Sequence, residues 1–454
     1  MKTIVVGNES IGKIKELHGV NCAPYSKNLG AKQARTQKIF EYAGVPRSRL
    51  HDCCGSYGGA YFVDVPNIFR DFDADENDPN SYDFYYTDEY IGAIIRTGAQ
   101  LVYRLGITIE WGSKKYRAHP PKDYAKWARI CEHIVRHYNE GWNNGFHYGI
   151  EYWEIWNEPE NPPMWTGTME QFFELYKVSS LHLRKCFPDI KIGGYGSCGF
   201  YALFRPEGHA QCTPFYKGFL VWFDEFLKFV KQHGCPLDFY TWHIYTPQPK
   251  EIEICAKHVR AKLNEYGFTS TESHLNEWNY GAEGGGYDNM ATMKGASFCA
   301  AALCLMQNNA VDKAQYYVLS YPAGYNGWLT ARCGKYTPTI HSFAAFSKLY
   351  KAGNSLAVTA DEDAPWCIAA KSGDGVEYAY ISTYEKDSET LKVTLSSAKR
   401  TRVYALTAEK EGVFEHLSEK GFVQVSEAEG NTAEFETKPD CVYVVVGDGE
   451  LGLG

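Results

Sequence analysis

At 454 residues the chain is longer than a single hydrophobic core usually sustains, so one large domain and a smaller one are expected. A net charge of −9 with no dense Lys/Arg cluster argues against nucleic acid as a partner. No run approaches 18 apolar residues, which excludes a membrane-spanning helix. The opening residues MKTIVVGNES lack the apolar segment and small-residue cleavage site of a secretory signal, so a cytoplasmic location is expected. The 14 cysteines then read as reduced thiols. Cys53 and Cys54 are adjacent beside His51, which is not zinc-ligand spacing, and no metal site is expected.

In chain order, short runs rich in β-branched and aromatic residues alternate with stretches of helical periodicity. Strands are expected at 14–22, 49–53, 100–105, 152–157, 191–195, 238–245, 274–278 and 314–319. Helices are expected at 31–43, 87–98, 122–139, 169–186, 216–234, 250–266 and 291–307. Gly44 followed by Pro46, and Gly234 followed by Pro236, stand where helices should stop. Eight such repeats favour an α/β fold, a closed (β/α)8 TIM barrel over residues 14–350. The runner-up, an open doubly wound sheet, lacks a GxGxxG after any strand.

Beyond Gly353 the texture changes to strand-like runs at 364–370, 376–383, 391–395, 402–406, 421–425, 432–436 and 441–446, joined by Gly, Ser, Asp and charged turns. This reads as a smaller C-terminal antiparallel β-sandwich of residues 351–454, to which the first 13 residues, with the apolar run 3–6, add a strand.

A barrel carries its chemistry at the C-terminal ends of its strands. Two ends hold a carboxylate among aromatic residues: Trp153-Glu154-Ile155-Trp156-Asn157-Glu158-Pro159 on the fourth strand and Leu275-Asn276-Glu277-Trp278-Asn279 on the seventh. Pro159 has no N–H to give to a ladder, so the strand ends there and Glu158 faces the mouth. Strand alternation places Glu154, Trp156 and Glu158 on one side, with Trp156 supplying an apolar surround. Two carboxylates are what glycoside cleavage needs, one protonated to donate to the leaving oxygen and one ionised to attack the anomeric carbon. Aromatic residues make up 15% of the chain, and flat rings suit sugar faces as well as a large core.

Trp-Asn-Glu-Pro on strand four with a Glu ending strand seven resembles clan A glycoside hydrolases. The longer match resembles glycoside hydrolase family 39, which holds β-xylosidases and α-L-iduronidases, through Trp153–Pro159, Trp165-Thr166-Gly167, Phe172–Tyr176 and Lys191-Ile192-Gly193-Gly194. The resemblance implies Glu158 as general acid/base and Glu277 as nucleophile. It implies that Asn157 bonds the sugar 2-OH and that Tyr245, in His243-Ile244-Tyr245, donates to Glu277. It further implies that His51 and Asp52 form a hydroxyl-binding corner and that Arg49 steers the nucleophile. After strand eight the family's xylosidases carry an Asp…Phe-Glu-Glu segment, where this chain has Ser320-Tyr321-Pro322-Ala323-Gly324-Tyr325-Asn326-Gly327-Trp328. Xylose specificity is therefore not implied. Tyr325 and Trp328, with Trp278 beside Glu277, are candidates for an aromatic sugar floor.

The expected activity is that of a retaining, exo-acting glycosidase working without a cofactor on a short oligosaccharide or glycoconjugate. An endo-acting glycanase and a non-enzymatic carbohydrate-binding protein on a barrel scaffold are the alternatives. The sandwich offers a surface on which copies could form a homo-oligomer.

Overall fold

The computed structural model describes residues 1–24, 31–51, 61–281, 287–319, 325–330, 334–407, 414–417, 419 and 421–453. Strand β1 (Lys2–Lys13) comes first and does not join the barrel. Eight parallel strands then close on themselves: β2 (Glu16–Asn21), β3 (Arg47–Arg49), β4 (Gln100–Leu105), β5 (Tyr152–Ile155), β6 (Lys191–Ser197), β7 (Phe239–Tyr245), β8 (Glu272–Asn279) and β9 (Lys313–Tyr316). The closed barrel excludes the open doubly wound sheet.

The helices are α1 (Ala31–Ala43), the single turn α2 (Val65–Ile68), α3 (Tyr85–Ile95), α4 (Tyr124–Glu140), α5 (Met169–Cys186), α6 (Pro214–His233), α7 (Pro249–Glu265), α8 (Met293–Asn308) and α9 (Thr339–Ala352). Except for the turn α2, each follows a barrel strand and covers its outer face. Local chemistry sets several of their ends. Asp123 caps α4 by accepting from the Lys126 N–H at 3.0 Å, and left-handed Gly141 closes it. Thr168 and Gln171 form a reciprocal capping box on α5. No helix among the described residues is long and apolar enough to cross a membrane.

Two departures from expectation have physical causes. Strand β3 starts two residues earlier than expected because Arg47-Ser48-Arg49 is polar yet wholly buried. Arg47 finds Glu16 at 2.6 Å, and Arg49 finds acceptors inside the barrel. Helix α9 was not expected, because it is buried on most sides and shows no apolar stripe.

The C-terminal domain is a mostly antiparallel sheet of nine strands. It comprises β10 (Asn354–Ala360), β11 (Trp366–Lys371), β12 (Glu377–Ser382), β13 (Thr390–Thr394), β14 (Arg400–Leu406), β15 (Val423–Glu429), β16 (Thr432–Glu436), β17 (Val442–Gly447) and the N-terminal β1. Strand β1 is third from one edge, antiparallel to β10 and parallel to β13. The sheet is continuous and curls until β16 returns to β14 and β15, enclosing Ile4, Val6, Leu391, Val393, Val403 and Val445.

The outer face of the sheet packs on the barrel helices. The Tyr380 hydroxyl donates to the Ser342 carbonyl at 3.0 Å and Ser382 Oγ to the Ser297 carbonyl at 2.7 Å. Tyr384 reaches the loop after β7, donating to the Pro247 carbonyl at 2.6 Å. Tyr380 is fully buried there. Tyr380→Ala is therefore expected to cost about 3–5 kcal/mol, as other large aromatic truncations do, and Tyr380→Phe about 1 kcal/mol for the lost hydrogen bond. Urea midpoints of the two variants check this ordering.

Candidate active site

The strand ends of β2, β3, β5, β7 and β8 converge on one buried arginine. The Arg49 guanidinium donates through Nε to Glu154 at 2.7 Å, through Nη1 to Glu277 at 2.8 Å and to Asn21 at 3.3 Å, and through Nη2 to Asn157 at 2.6 Å. Burial works against its charge, yet the carboxylates of Glu154 and Glu277 outweigh burial and hold its pKa above the ordinary value. Glu154 is completed by the Asn276 amide at 2.7 Å. Because Asn157 Oδ1 is taken by Arg49, its amide NH2 must turn the other way.

Glu277 sits in a cationic nest. His51 Nε2 lies 2.6 Å from its Oε1, the Tyr245 hydroxyl donates to its Oε2 at 2.9 Å, and His243 Nε2 is 3.5 Å from Oε1. Burial alone would raise its pKa. The positive charges of His243, His51 and Arg49, with the hydrogen bond from His51, override burial and keep the carboxyl well below its usual range. Burial and the neighbouring Glu277 charge push the Tyr245 phenol well above its ordinary pKa, so it stays a neutral donor.

His243 bridges to the second carboxylate, with Nδ1 2.8 Å from Glu158 Oε1. Its pKa is raised: burial opposes the charge, but Glu277 and the bond to Glu158 prevail. Oxygens of Glu158 and Glu277 and a His243 ring nitrogen all lie within 4.8 Å of one another. Glu158 keeps 15% of its side chain exposed against 6% for Glu277, so it fronts the open cleft. The cleft, of about 550 Å³, extends from Glu158 outward.

The backbone around Glu158 departs from a plain strand. Strand β5 ends at Ile155, and both Trp156 (φ 71°) and Glu158 (φ 46°) are left-handed. A left-handed residue breaks the two-residue alternation, so Trp156 does not share the side of Glu154. Its indole donates to the Met164 carbonyl at 2.9 Å and packs on Trp127 and Trp165, away from the carboxylates. The expected aromatic surround is thus not Trp156. Two acceptors, the carbonyls of Tyr195 and Gly196, hold the Glu158 N–H at 3.1 and 2.9 Å.

Other expectations need correction. Trp278 alternates with Glu277 and points outward, fully buried against Tyr316 and Phe343. Trp328 is also fully buried, stacked on Tyr316 and beside Phe343. Neither ring can meet a sugar, because both fill the space between barrel and α9. His243, a candidate for substrate binding by its place in His243-Ile244-Tyr245, is instead fully buried against Glu158, and Arg49, equally buried, contacts Glu277 itself. Tyr325 does line the cleft, 5.5 Å from the Tyr245 ring. Asp52, Cys53, Cys54 and the segment 320–324 lie outside the described residues.

Comparison with known proteins fits this geometry. The profile of the Glycosyl hydrolases family 39 matches residues 57–268. The chain is 24% identical over 376 residues to a beta-xylosidase of Geobacillus stearothermophilus, covering 70% of this chain and 68% of that protein. It is 26% identical over 309 residues to a beta-xylosidase of Caldicellulosiruptor saccharolyticus, covering 62% of this chain and 56% of that one. These matches support a clan A glycoside hydrolase most similar to family 39. The glycosidase also shares its fold with a solved glucosidase from Croceicoccus marinus, at a TM-score of 0.76 and 24% identity over 99% of this chain and 100% of that one.

Several groups of the glycosidase's site escaped sequence reasoning. Glu154 could have been found, since a carboxylate inside an apolar strand needs a buried cation. Tyr317, whose ring stands 5.0 Å from that of His51, and Cys198, at the cleft wall, carried no signal. Glu160 is buried two residues beyond Glu158, accepting from Ser197 Oγ at 2.7 Å and the Cys198 N–H at 2.8 Å. Burial, reinforced by the charge of Glu158, lifts its pKa to about 7 against those bonds.

Two predictions follow from these contacts. A Cβ on Gly196 (φ +68°) would stand 2.8 Å from Asn157 Oδ1 and 3.4 Å from Arg49 Nη2. Gly196→Ala should therefore shift that amide and lower kcat/KM about 100-fold, a typical cost of a small misplacement. Because the folded state raises the Glu160 pKa, its contribution to stability is complete below the ordinary carboxyl pKa and is lost as pH rises through about 7. Relative to Glu160→Gln, the native chain should lose about 3 kcal/mol of stability between pH 4.5 and 8, measured by denaturant titration at each pH.

Proposed function

We propose that this β-xylosidase-like glycosidase is a retaining, exo-acting enzyme that removes a terminal β-xylosyl or closely related sugar. The observation that carries the reading is the spacing of the two carboxylates. With oxygens of Glu158 and Glu277 within 4.8 Å, no room remains for the water that inverting enzymes place between carboxyl groups about 6.5–9.5 Å apart.

In this reading Glu277, held ionised by its cationic nest, attacks the anomeric carbon. The bond to the leaving oxygen breaks as Glu158 passes its proton to that oxygen, and a glycosyl ester forms on Glu277. Water then enters from the cleft, and Glu158 takes its proton as the water attacks the same carbon. The ester bond breaks and its electrons return to Glu277. Asn157, its amide turned by Arg49, is placed to bond the 2-OH, a contact that strengthens as the ring gains oxocarbenium character.

The exo assignment draws on the one-sided setting of the pair. Glu277 is backed by His51, Arg49 and Tyr317, whereas Glu158 opens onto the cleft. That favours one sugar held behind and the leaving group in front.

Proton NMR of the first-formed product on an aryl-glycoside is expected to show retained configuration, and an inverted product would overturn the reading. Glu277→Gly should abolish turnover, with azide restoring cleavage as a glycosyl azide of inverted configuration. Glu158→Ala should lose about 10²–10⁴-fold on poor leaving groups and far less on dinitrophenyl glycosides. An aryl-glycoside panel identifies the sugar, and end-labelled oligosaccharides separate exo from endo cleavage.

A further inference from the structure

We infer that the cleft in front of Glu158 is an aglycone site for a bulky, ring-containing apolar group, not for a second sugar. The inference rests on Glu158 being the group that protonates the leaving oxygen, which makes this cleft the leaving-group side.

Rings dominate the wall and reach into solvent. Trp111, after β4, is 72% exposed, Phe215, at the start of α6, 47%, and Tyr287, ahead of α8, 41%. Three large rings brought to one rim by three separate elements are a costly arrangement in water unless something covers them. Flat apolar surface is what they offer a ligand.

Several polar groups of the wall already have protein partners. Arg205 gives three of its five N–H donors to Gln211 (from Nε, 3.1 Å) and to the two oxygens of Glu251. The Tyr245 hydroxyl is used by Glu277, and the Tyr201 hydroxyl accepts from the Tyr245 N–H at 2.9 Å. Tyr325 and Tyr287 hydrogen-bond each other, and the Asn161 amide turns to Glu158 at 3.3 Å. A second sugar would bring several hydroxyls needing partners once water is expelled, and each one left unpaired is costly. Among the described residues the wall offers few such partners. A polycyclic or aryl aglycone asks for none beyond the bridging oxygen that Glu158 serves. About 550 Å³ of cleft also exceeds what one pyranose fills.

The test uses the intact enzyme and one glycone linked to three alcohols: methanol, 2-(2-naphthyl)ethanol and a second sugar. All three are alkoxide leaving groups, and the sugar hydroxyl is the most acidic, so leaving-group chemistry favours the disaccharide. The naphthylethyl glycoside is expected to show kcat/KM at least about 30-fold above both others. Trp111→Ala and Phe215→Ala, at exposed positions that leave the fold intact, should each cut that advantage about 10-fold while changing the methyl glycoside less than 2-fold. A disaccharide cleaved as well as the naphthylethyl glycoside, or variants that slow methyl and naphthylethyl substrates alike, would overturn the inference. Failure to cleave any of the three, or a dinitrophenyl glycoside, would instead overturn the glycosidase reading. In that case quenching of tryptophan fluorescence by free 2-(2-naphthyl)ethanol reads the cleft alone: saturation in the native chain and its loss in Trp111→Ala supports the inference, and no saturation refutes it.

Discussion

Everything at the mouth of this barrel is arranged around a guanidinium that has no water. Arg49 is fully buried with Glu154, Glu277, Asn157 and Asn21 as its acceptors. Leaving such a charge short of a partner costs about 3–5 kcal/mol, so the strand ends that supply the acceptors are held in one relative position. A lysine could not replace it, because a compact ammonium cannot reach acceptors spread over a planar fork. The same contacts set the rotamer of Glu277 and the facing of the Asn157 amide. Fold and site are tied by one side chain.

From that anchor comes the electrostatic difference between two chemically identical groups. Glu277 lies where Arg49, His51 and His243 gather, while Glu158 lies at the edge with one histidine and a weakly placed amide. Environments that push two carboxyls apart are how acid and nucleophile roles are divided. His243 contacts both and so senses the proton count on each. Its raised pKa means that the positive charge between the carboxylates persists to higher pH than an ordinary histidine would allow. The protein has thereby stabilised the negative charge of Glu277 firmly.

The barrel was legible because buried parallel strands are continuous apolar runs and its helices mostly carry an apolar stripe with recognisable stops. Strand β4 and helices α1 and α5 stand at the expected residues. Legibility failed where an element's surroundings, not its own pattern, decide its form. Helix α9 is hidden by burial on most sides, and β3 by buried charges whose partners lie elsewhere in the chain, Glu154 standing 105 residues beyond Arg49. In the site, the positions of Glu158, Glu277 and Tyr245 were readable because each stands near the C-terminal end of a barrel strand in a distinctive local context. Trp278 and Trp328 were misjudged because neither adjacency to Glu277 nor a place in the segment after the last barrel strand says which face a ring takes. Trp111 and Phe215 sit on loops and a helix start with no periodicity to mark them, and only their convergence in space gives them meaning.

Strand β1 has a bearing on how the molecule comes into being. Its partners on either side are β10 and β13, more than 340 residues further along. At synthesis rates of about 5–20 residues per second, β1 waits tens of seconds for the strands that flank it. The barrel strands are all made in that interval, before β1 can meet β10 and β13. A ribosome that stalls after α9 would release a closed barrel trailing an unpaired strand with one apolar face, the kind of edge on which chains aggregate.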